Sequence, residues 1–119
     1  VMQQASHRNL GGALKALEAL YLDDQPYLFG DAVSICDLSA YVEIGQLQPR
    51  FTNTYDFSEL PNVSAWLDRM QQLPFHDEVH VCLTEMGDIS QEAPSMDVIR
   101  NANISGLKAL KAALESLSA

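Results

Sequence analysis

Few side chains in this sequence have the spacing that a metal site or a catalytic site requires. His76 and His80 are four residues apart on a predicted helix, so their rings can share one face and bind a metal ion together. Nothing else completes a zinc motif, and the intervening Asp77 and Glu78 are typical of a solvated polar face. We therefore predict no metal site and expect both histidines to face solvent.

Nucleophilic and phosphate-binding chemistry lack their usual signatures as well. No serine lies in a nucleophile-elbow sequence, and the Gly11-Gly12 pair is not a phosphate-binding loop. Cys36 falls in the first turn of a predicted helix, where the macrodipole would favour a thiolate. A small apolar filler is the more ordinary role for such a cysteine, and it is the one we expect.

The most informative segment, 29–48, contains a complete helix-start signal. Ser34 can cap the first free N–H groups, and Asp37 can reach back to the N–H of Ser34, which together make a capping box. Val33 and Leu38 flank the box and can close as a hydrophobic staple. The residues that follow predict a helix buried on most of its surface, with apolar positions at Leu38, Tyr41, Val42, Ile44 and Leu47.

Bulk composition excludes several classes of protein. The 119 residues predict one domain, and 47% hydrophobic residues are normal for a globular core. A net charge of -9 argues against binding to nucleic acid or to an anionic membrane surface. No apolar run approaches the roughly 20 residues of a membrane span, and no signal peptide is evident. The two cysteines lack metal-type spacing, so we expect free thiols in a reducing, cytoplasmic compartment.

Apolar residues recur at helical spacing and strand-type alternation is missing, so the sequence predicts an all-α bundle of about five or six helices. The predicted helices span 1–22, 35–48, 61–73, 75–86 and 95–119. Gly11-Gly12 marks either close packing or a break, and a second break is expected near Ser105-Gly106. The predicted inner faces are Leu10, Leu14, Leu17 and Tyr21 in the first helix, Val63, Trp66, Leu67 and Met70 in the third, and Phe75, Val79, Cys82, Leu83 and Met86 in the fourth.

Three segments, in this order, resemble the C-terminal all-helical domain of cytosolic glutathione transferases. YLDDQPYLFGD is similar to the loop before that family's core helix, SICDLSAYVEI to the capped core helix itself, and ELPNVSAWLDRMQQLPFHDEVH to a following helix. The stretches DLSAYVEIGQLQ and FHDEVH are most similar to theta-class members. Val33 and Cys36 stand where the family usually has proline and alanine, and neither change damages the cap.

The resemblance implies a detoxifying parent enzyme that conjugates glutathione, its co-substrate, to a small hydrophobic electrophile. In that family a thioredoxin-like N-terminal domain carries the catalytic Ser, Tyr or Cys. Nothing here resembles that domain, so no catalytic residue and no cofactor are assigned, and the chain alone is not expected to be active. The role of this chain in the parent enzyme would be to help form the electrophile site and to support homodimer contacts. The alternative is a non-catalytic interaction or scaffold module of the same fold.

The family comparison also implies how the chain divides. We expect 1–94 to be a helical core that is incomplete at its N-terminal side, because the chain opens on Val1 and reads as a fragment or as a processed terminus. We expect 95–119 to be an extension that packs on this core. Packing on a partner helix or closing over a pocket are its alternatives. A narrow leucine stripe marks this extension, at Leu107, Leu110, Leu114 and Leu117.

The family's motif residues that have counterparts in this sequence have a structural role. In the family, the capping box and staple hold the core helix, here through Ser34, Asp37, Val33 and Leu38. Replacing Asp37 by alanine is expected to cost about 1–2 kcal/mol, as for other helix caps. His7, on the first helix facing the expected domain interface, is a weak candidate for substrate contact.

Overall fold

The computed structural model describes residues 2–118, and the side chains of residues 6–118. These residues form six α-helices, and the only β-structure among them is an isolated bridge between Tyr27 and Gly30. The predicted all-α bundle is therefore confirmed. The helices are α1 Met2–Ala16, α2 Ile35–Ile44, α3 Pro61–Gln71, α4 His76–Val79, α5 Val81–Met86 and α6 Met96–Ser118. Val1 and Ala119, which end two predicted helices, lie outside the described residues.

A π-helical turn, Leu17–Tyr21, continues α1 and changes which residues face the core. The Leu22 N–H donates to the Leu17 carbonyl at 2.9 Å, so one extra residue is fitted into the turn. Leu14 is fully buried as predicted, but Tyr21 is 43% exposed and Leu22 is buried in its place. The predicted inner face assumed a regular α-helical period of about 3.6 residues per turn. The wider π-helical turn interrupts this period.

Helix α3 lies at the centre of the fold. Its predicted inner face is buried throughout, and Val63 and Trp66 are fully inaccessible. The helix packs against the π-helical turn, α2 and α4. The hydrophobic core that forms around it consists of Leu14, Leu22, Leu28, Tyr41, Phe57, Leu60, Val63, Trp66, Leu67 and Met70.

The predicted helix 75–86 is wrong, because it is broken at His80 into α4 and α5. In a continuous helix the backbone N–H of His80 would donate to the carbonyl of His76. That carbonyl instead accepts the side-chain Nδ1–H of His80 at 2.6 Å, and the backbone N–H donates to the Asp77 carbonyl. The break leaves Val79 half exposed, although we expected it on the inner face.

Helix α6 is continuous through Ser105-Gly106, so the predicted second break is wrong. It packs against α4 and α5 by a face of small residues in which Ala102 and Gly106 are buried. The leucine stripe is a different face, and its four leucines are between 37% and 68% exposed. A helix of 23 residues is about 34 Å long, whereas α5 has six residues, so the C-terminal half of α6 extends past its neighbours.

The described chain is flat and more expanded than a closed domain. Its principal extents are 41 × 39 × 19 Å and its radius of gyration is 15.7 Å. A compact domain of this length has a radius of gyration of about 13.5 Å. Within residues 2–118, no helix combines the length and apolar character needed to cross a membrane.

The continuity of α1 through Gly11-Gly12 can be tested with alanine. A Cβ at Gly12 meets no atom within 4 Å, so Gly12→Ala is expected to raise the free energy of unfolding by about 0.5–1 kcal/mol. Gly106→Ala is the matched comparison, because its Cβ would lie 3.1 Å from the Cys82 Cβ, and we expect it to lack this gain. Urea denaturation measures both, and a loss of stability in Gly12→Ala would contradict a helical backbone there.

Candidate functional site

The residues predicted to cap the core helix meet at the start of α2. Ser34 has an extended backbone conformation, and its N–H donates to Asp37 Oδ2 at 2.9 Å. The Ser34 hydroxyl donates to the same oxygen at 2.9 Å. The two residues have capping-box geometry, and the carboxylate of Asp37 supplies its well-formed half.

The carboxylate of Asp37 does more than cap α2, because it joins three separate segments. It is completely buried. Its Oδ1 accepts the Leu28 N–H from the preceding loop at 3.0 Å and the Trp66 indole N–H from α3 at 2.9 Å. With the two bonds from Ser34, each carboxylate oxygen receives two donors. No acceptor position is left free for proton transfer, so the arrangement is structural.

Hydrogen bonding keeps this buried carboxylate charged. Burial alone would raise the pKa of Asp37, but the donors from Leu28, Ser34 and Trp66 outweigh it and lower the pKa below its ordinary value. The unfolded chain therefore binds the proton more tightly than the folded chain does. The resulting stabilisation is present above about pH 3.9 and is lost as the pH falls through the folded-state pKa.

The other face of α2 is open. Ile35, Leu38 and Val42 are 77%, 50% and 63% exposed, and they form what we term the α2 apolar face. The prediction of a helix buried on most of its surface is therefore wrong, since only Asp37 and Tyr41 of α2 are buried. Helix α3 packs on one side of α2, which leaves the α2 apolar face uncovered. The proposed staple partner Val33 is 40% exposed as well, and the staple stays a prediction.

A second carboxylate, Glu18, caps a different helix. Its Oε1 and Oε2 accept the N–H groups of Asn62 and Val63 at 2.9 and 2.7 Å, at the start of α3. Sequence analysis missed this role, because Glu18 is 44 residues away. The available signal was Leu60, a residue that cannot cap with its side chain and so leaves the N–H groups of α3 in need of an outside acceptor.

Tyr41 and His76 form a polar contact inside the core. The Tyr41 hydroxyl lies 2.7 Å from His76 Nε2 and also accepts a hydrogen bond from Gln48 at 3.2 Å. His76 Nδ1 lies 2.8 Å from the Asp77 carboxylate. His76 is only 6% exposed, so the prediction that it faces solvent is wrong. It is buried because the break between α4 and α5 places it against Tyr41 and Phe51.

The remaining candidates do not come together. Among the described residues, no three histidine, cysteine or acidic side chains converge as a metal site. Cys36 is exposed, so it is not the core filler that we expected, and Cys82 is a partly buried free thiol that contacts Asn103. His7 lies exposed on α1, with its ring 5.3 Å from that of Tyr55, and its contact with substrate stays a prediction.

One family model matches this chain, and it describes the C-terminal domain of glutathione S-transferases. The match covers residues 3–69, which is more than half of the chain and includes nearly all of α1, all of α2 and most of α3. Asp37 and its donors from Leu28, Ser34 and Trp66 all lie within it. No curated protein and no solved structure matches the chain at a significant level.

Replacing Asp37 by alanine should cost more than the loss of an ordinary cap. It would leave the buried N–H groups of Leu28 and Trp66 without acceptors, at about 1–3 kcal/mol each. We expect Asp37→Ala to lower the free energy of unfolding by about 3–5 kcal/mol. This exceeds the cost expected from the sequence, because the bond to Trp66 was not foreseen.

Ser34→Ala is the matched control, since it removes the hydroxyl and keeps the backbone N–H that donates to Asp37. We expect this variant to lose about 1 kcal/mol. Chemical denaturation at neutral pH measures both variants. Equal, small losses would mean that Asp37 is only a local cap.

Proposed function

This chain belongs to the family of glutathione S-transferase C-terminal domains, and from that premise we propose that it is the helical half of a transferase. The proposed reaction joins the thiolate of glutathione to a small hydrophobic electrophile. Glutathione acts there as co-substrate, and a thioredoxin-like domain binds it and activates its thiol. The described residues of this chain contain no strand from which such a domain is built, so its share is structural support and one wall of the electrophile site.

The α2 apolar face carries this proposal. Its three residues follow each other at helical spacing on a different side of α2 from buried Asp37 and Tyr41. Tyr21 and Phe29 add exposed aromatic surface from the preceding segment, with their rings 6.3 Å apart. Exposed apolar side chains gathered on one helix face are a feature of contact sites. We propose that the thioredoxin-like domain covers it.

The finer parts of the proposal have separate support. Theta-like class membership is supported by the sequence segments DLSAYVEIGQLQ and FHDEVH. A homodimer is supported by the amount of apolar surface that the flat chain exposes. A cytoplasmic location is supported by the two free cysteines, which suit a reducing compartment. His7 is our candidate for the wall of the electrophile site, because it is accessible on α1.

A non-catalytic interaction module is the second candidate, and the leucine stripe of α6 favours it. Leu107, Leu114 and Leu117 are each more than 60% exposed on a helix that lies beyond the matched residues 3–69. Their spacing suits packing against another helix. In that case the protein would use the same fold to bind a partner protein, and no conjugation would occur.

The two candidate functions predict different contact surfaces on this chain for an added thioredoxin-like domain. A purified thioredoxin-like domain of a theta-class glutathione transferase would be titrated into the isotope-labelled chain, with amide shifts followed by NMR. We expect the shifts to centre on α2. The double variant Leu38→Gln, Val42→Gln should weaken binding by about tenfold or more, since each apolar side chain contributes about 1.5–3 kcal/mol when buried.

Leu114→Gln, Leu117→Gln is the matched control, because it removes at least as much exposed apolar surface, but from the leucine stripe. We expect it to leave the affinity for the added domain unchanged. Turnover of chlorodinitrobenzene with glutathione is measured in parallel, and the chain alone should show none. Shifts confined to α6, or turnover by the chain alone, would contradict the proposed division of roles.

A further inference from the structure

His76 and His80 form a stacked pair inside the fold, which we call the histidine pair. Their ring centroids are 4.2 Å apart and their planes differ by 20°. Phe51 lies nearly parallel to His80 with ring centroids 5.3 Å apart and is also 6.2 Å from His76, and Tyr41 meets both histidine rings edge-on. The pair therefore joins α4 and the start of α5 to residues of the central core.

Hydrogen bonds hold both rings of the pair in place. The Asp77 carboxylate only accepts, so His76 donates from Nδ1. The Tyr41 oxygen accepts from Gln48 and lies 2.7 Å from His76 Nε2. His80 donates from Nδ1 to the His76 carbonyl, so Nε2 is the nitrogen at which His80 gains or loses its second proton.

A second proton on His80 is unfavourable. It would create a charge stacked against His76 and Phe51 in a half-buried position. Burial accordingly lowers the pKa of His80, which the neighbouring His76 and Arg50 lower further, while its bond to the His76 carbonyl and the charge of Asp77 act in the opposite direction.

The charged groups around the pair come from each packed element. The loop before α3 supplies Arg50, which is 3.5 Å from the Asp77 carboxylate of α4. Helix α3 supplies Asp68, whose charge acts on Tyr41. Glu78 of α4 and Glu85 of α5 are exposed, and Asp97 and Arg100 of α6 pair with each other at 3.4 Å. Asp77 is the acid in contact with the pair, and its side chain is 80% exposed, so solvent screens its charge.

We propose that the histidine pair is an acid-sensitive switch, in which protonation loosens the attachment of α4, α5 and α6 to the core. Helix α6 packs on α4 and α5, so it moves with them. The core around Asp37 contains no histidine contact among its four donors and holds α2 and α3 together at the same pH. The switch operates in this way whether or not the parent protein is an enzyme.

The pH range follows from the direction of the His80 shift. A histidine whose folded-state pKa is lowered stabilises the fold above its unfolded value of about 6.5, and that stabilisation falls as the pH drops below it. One such group changes an opening equilibrium by at most about tenfold per pH unit. Loosening is therefore expected to begin as the pH falls below about 6.5, well above the range in which Asp37 is protonated.

Hydrogen exchange of the 119-residue chain tests the switch. Protection factors, which correct for the intrinsic pH dependence of exchange, are compared at about pH 7.5 and 5.5. We expect about three- to tenfold lower protection in α4, α5 and α6 at the lower pH. Protection in α3, and the fluorescence of Trp66, the single tryptophan, should stay unchanged.

His80→Asn should remove the pH dependence, since the asparagine amide can still donate to the His76 carbonyl but does not titrate. His7→Asn is the matched control, because His7 is the remaining histidine and is exposed on α1. Should His80→Asn fail to fold, NMR titration of the unaltered chain replaces it, and amide shifts in α6 must follow the midpoint of His80. Uniform loss of protection that includes α3, unchanged protection throughout, or pH dependence retained in His80→Asn would overturn the proposal.

Discussion

A fully buried carboxylate is tolerated only when hydrogen-bond donors replace the water that it loses, and this constraint organises the fold. Asp37 meets it with donors from the preceding loop, from the start of α2 and from α3. Because its four donors come from three segments, the carboxylate fixes the relative positions of these segments as well as starting a helix. Glu18 applies the same principle on a smaller scale at the start of α3.

Local signals in the sequence were sufficient for the all-helical fold, for the start of α2 and for the inner face of α3. The pairing of Ser34 with Asp37 depends on a spacing of three residues, and the inner face of α3 depends on helical period alone. Contacts between distant residues left no comparable signal. Trp66 donates to a carboxylate 29 residues earlier, and only the folded arrangement brings the two together.

The incorrect predictions share a physical cause, which is competition from side chains and neighbours that a periodic pattern does not contain. The imidazole of His80 takes a backbone acceptor and so divides one predicted helix into two. The burial of Leu38 and Val42 depends on what lies beside α2, and α3 covers only its other side. We propose that the open apolar surface on α2 and α6 serves as contact surface in a larger assembly.

The central claim is that the bond between Asp37 and Trp66 couples α2 to α3. A double-mutant cycle with Asp37→Ala and Trp66→Phe measures this coupling by chemical denaturation, since the cavity left by the smaller ring cancels in the cycle. We predict a coupling free energy of about 1.5–3 kcal/mol, as expected for a buried hydrogen bond to a charged group. Additive effects of the two substitutions, within about 0.5 kcal/mol, would contradict the account.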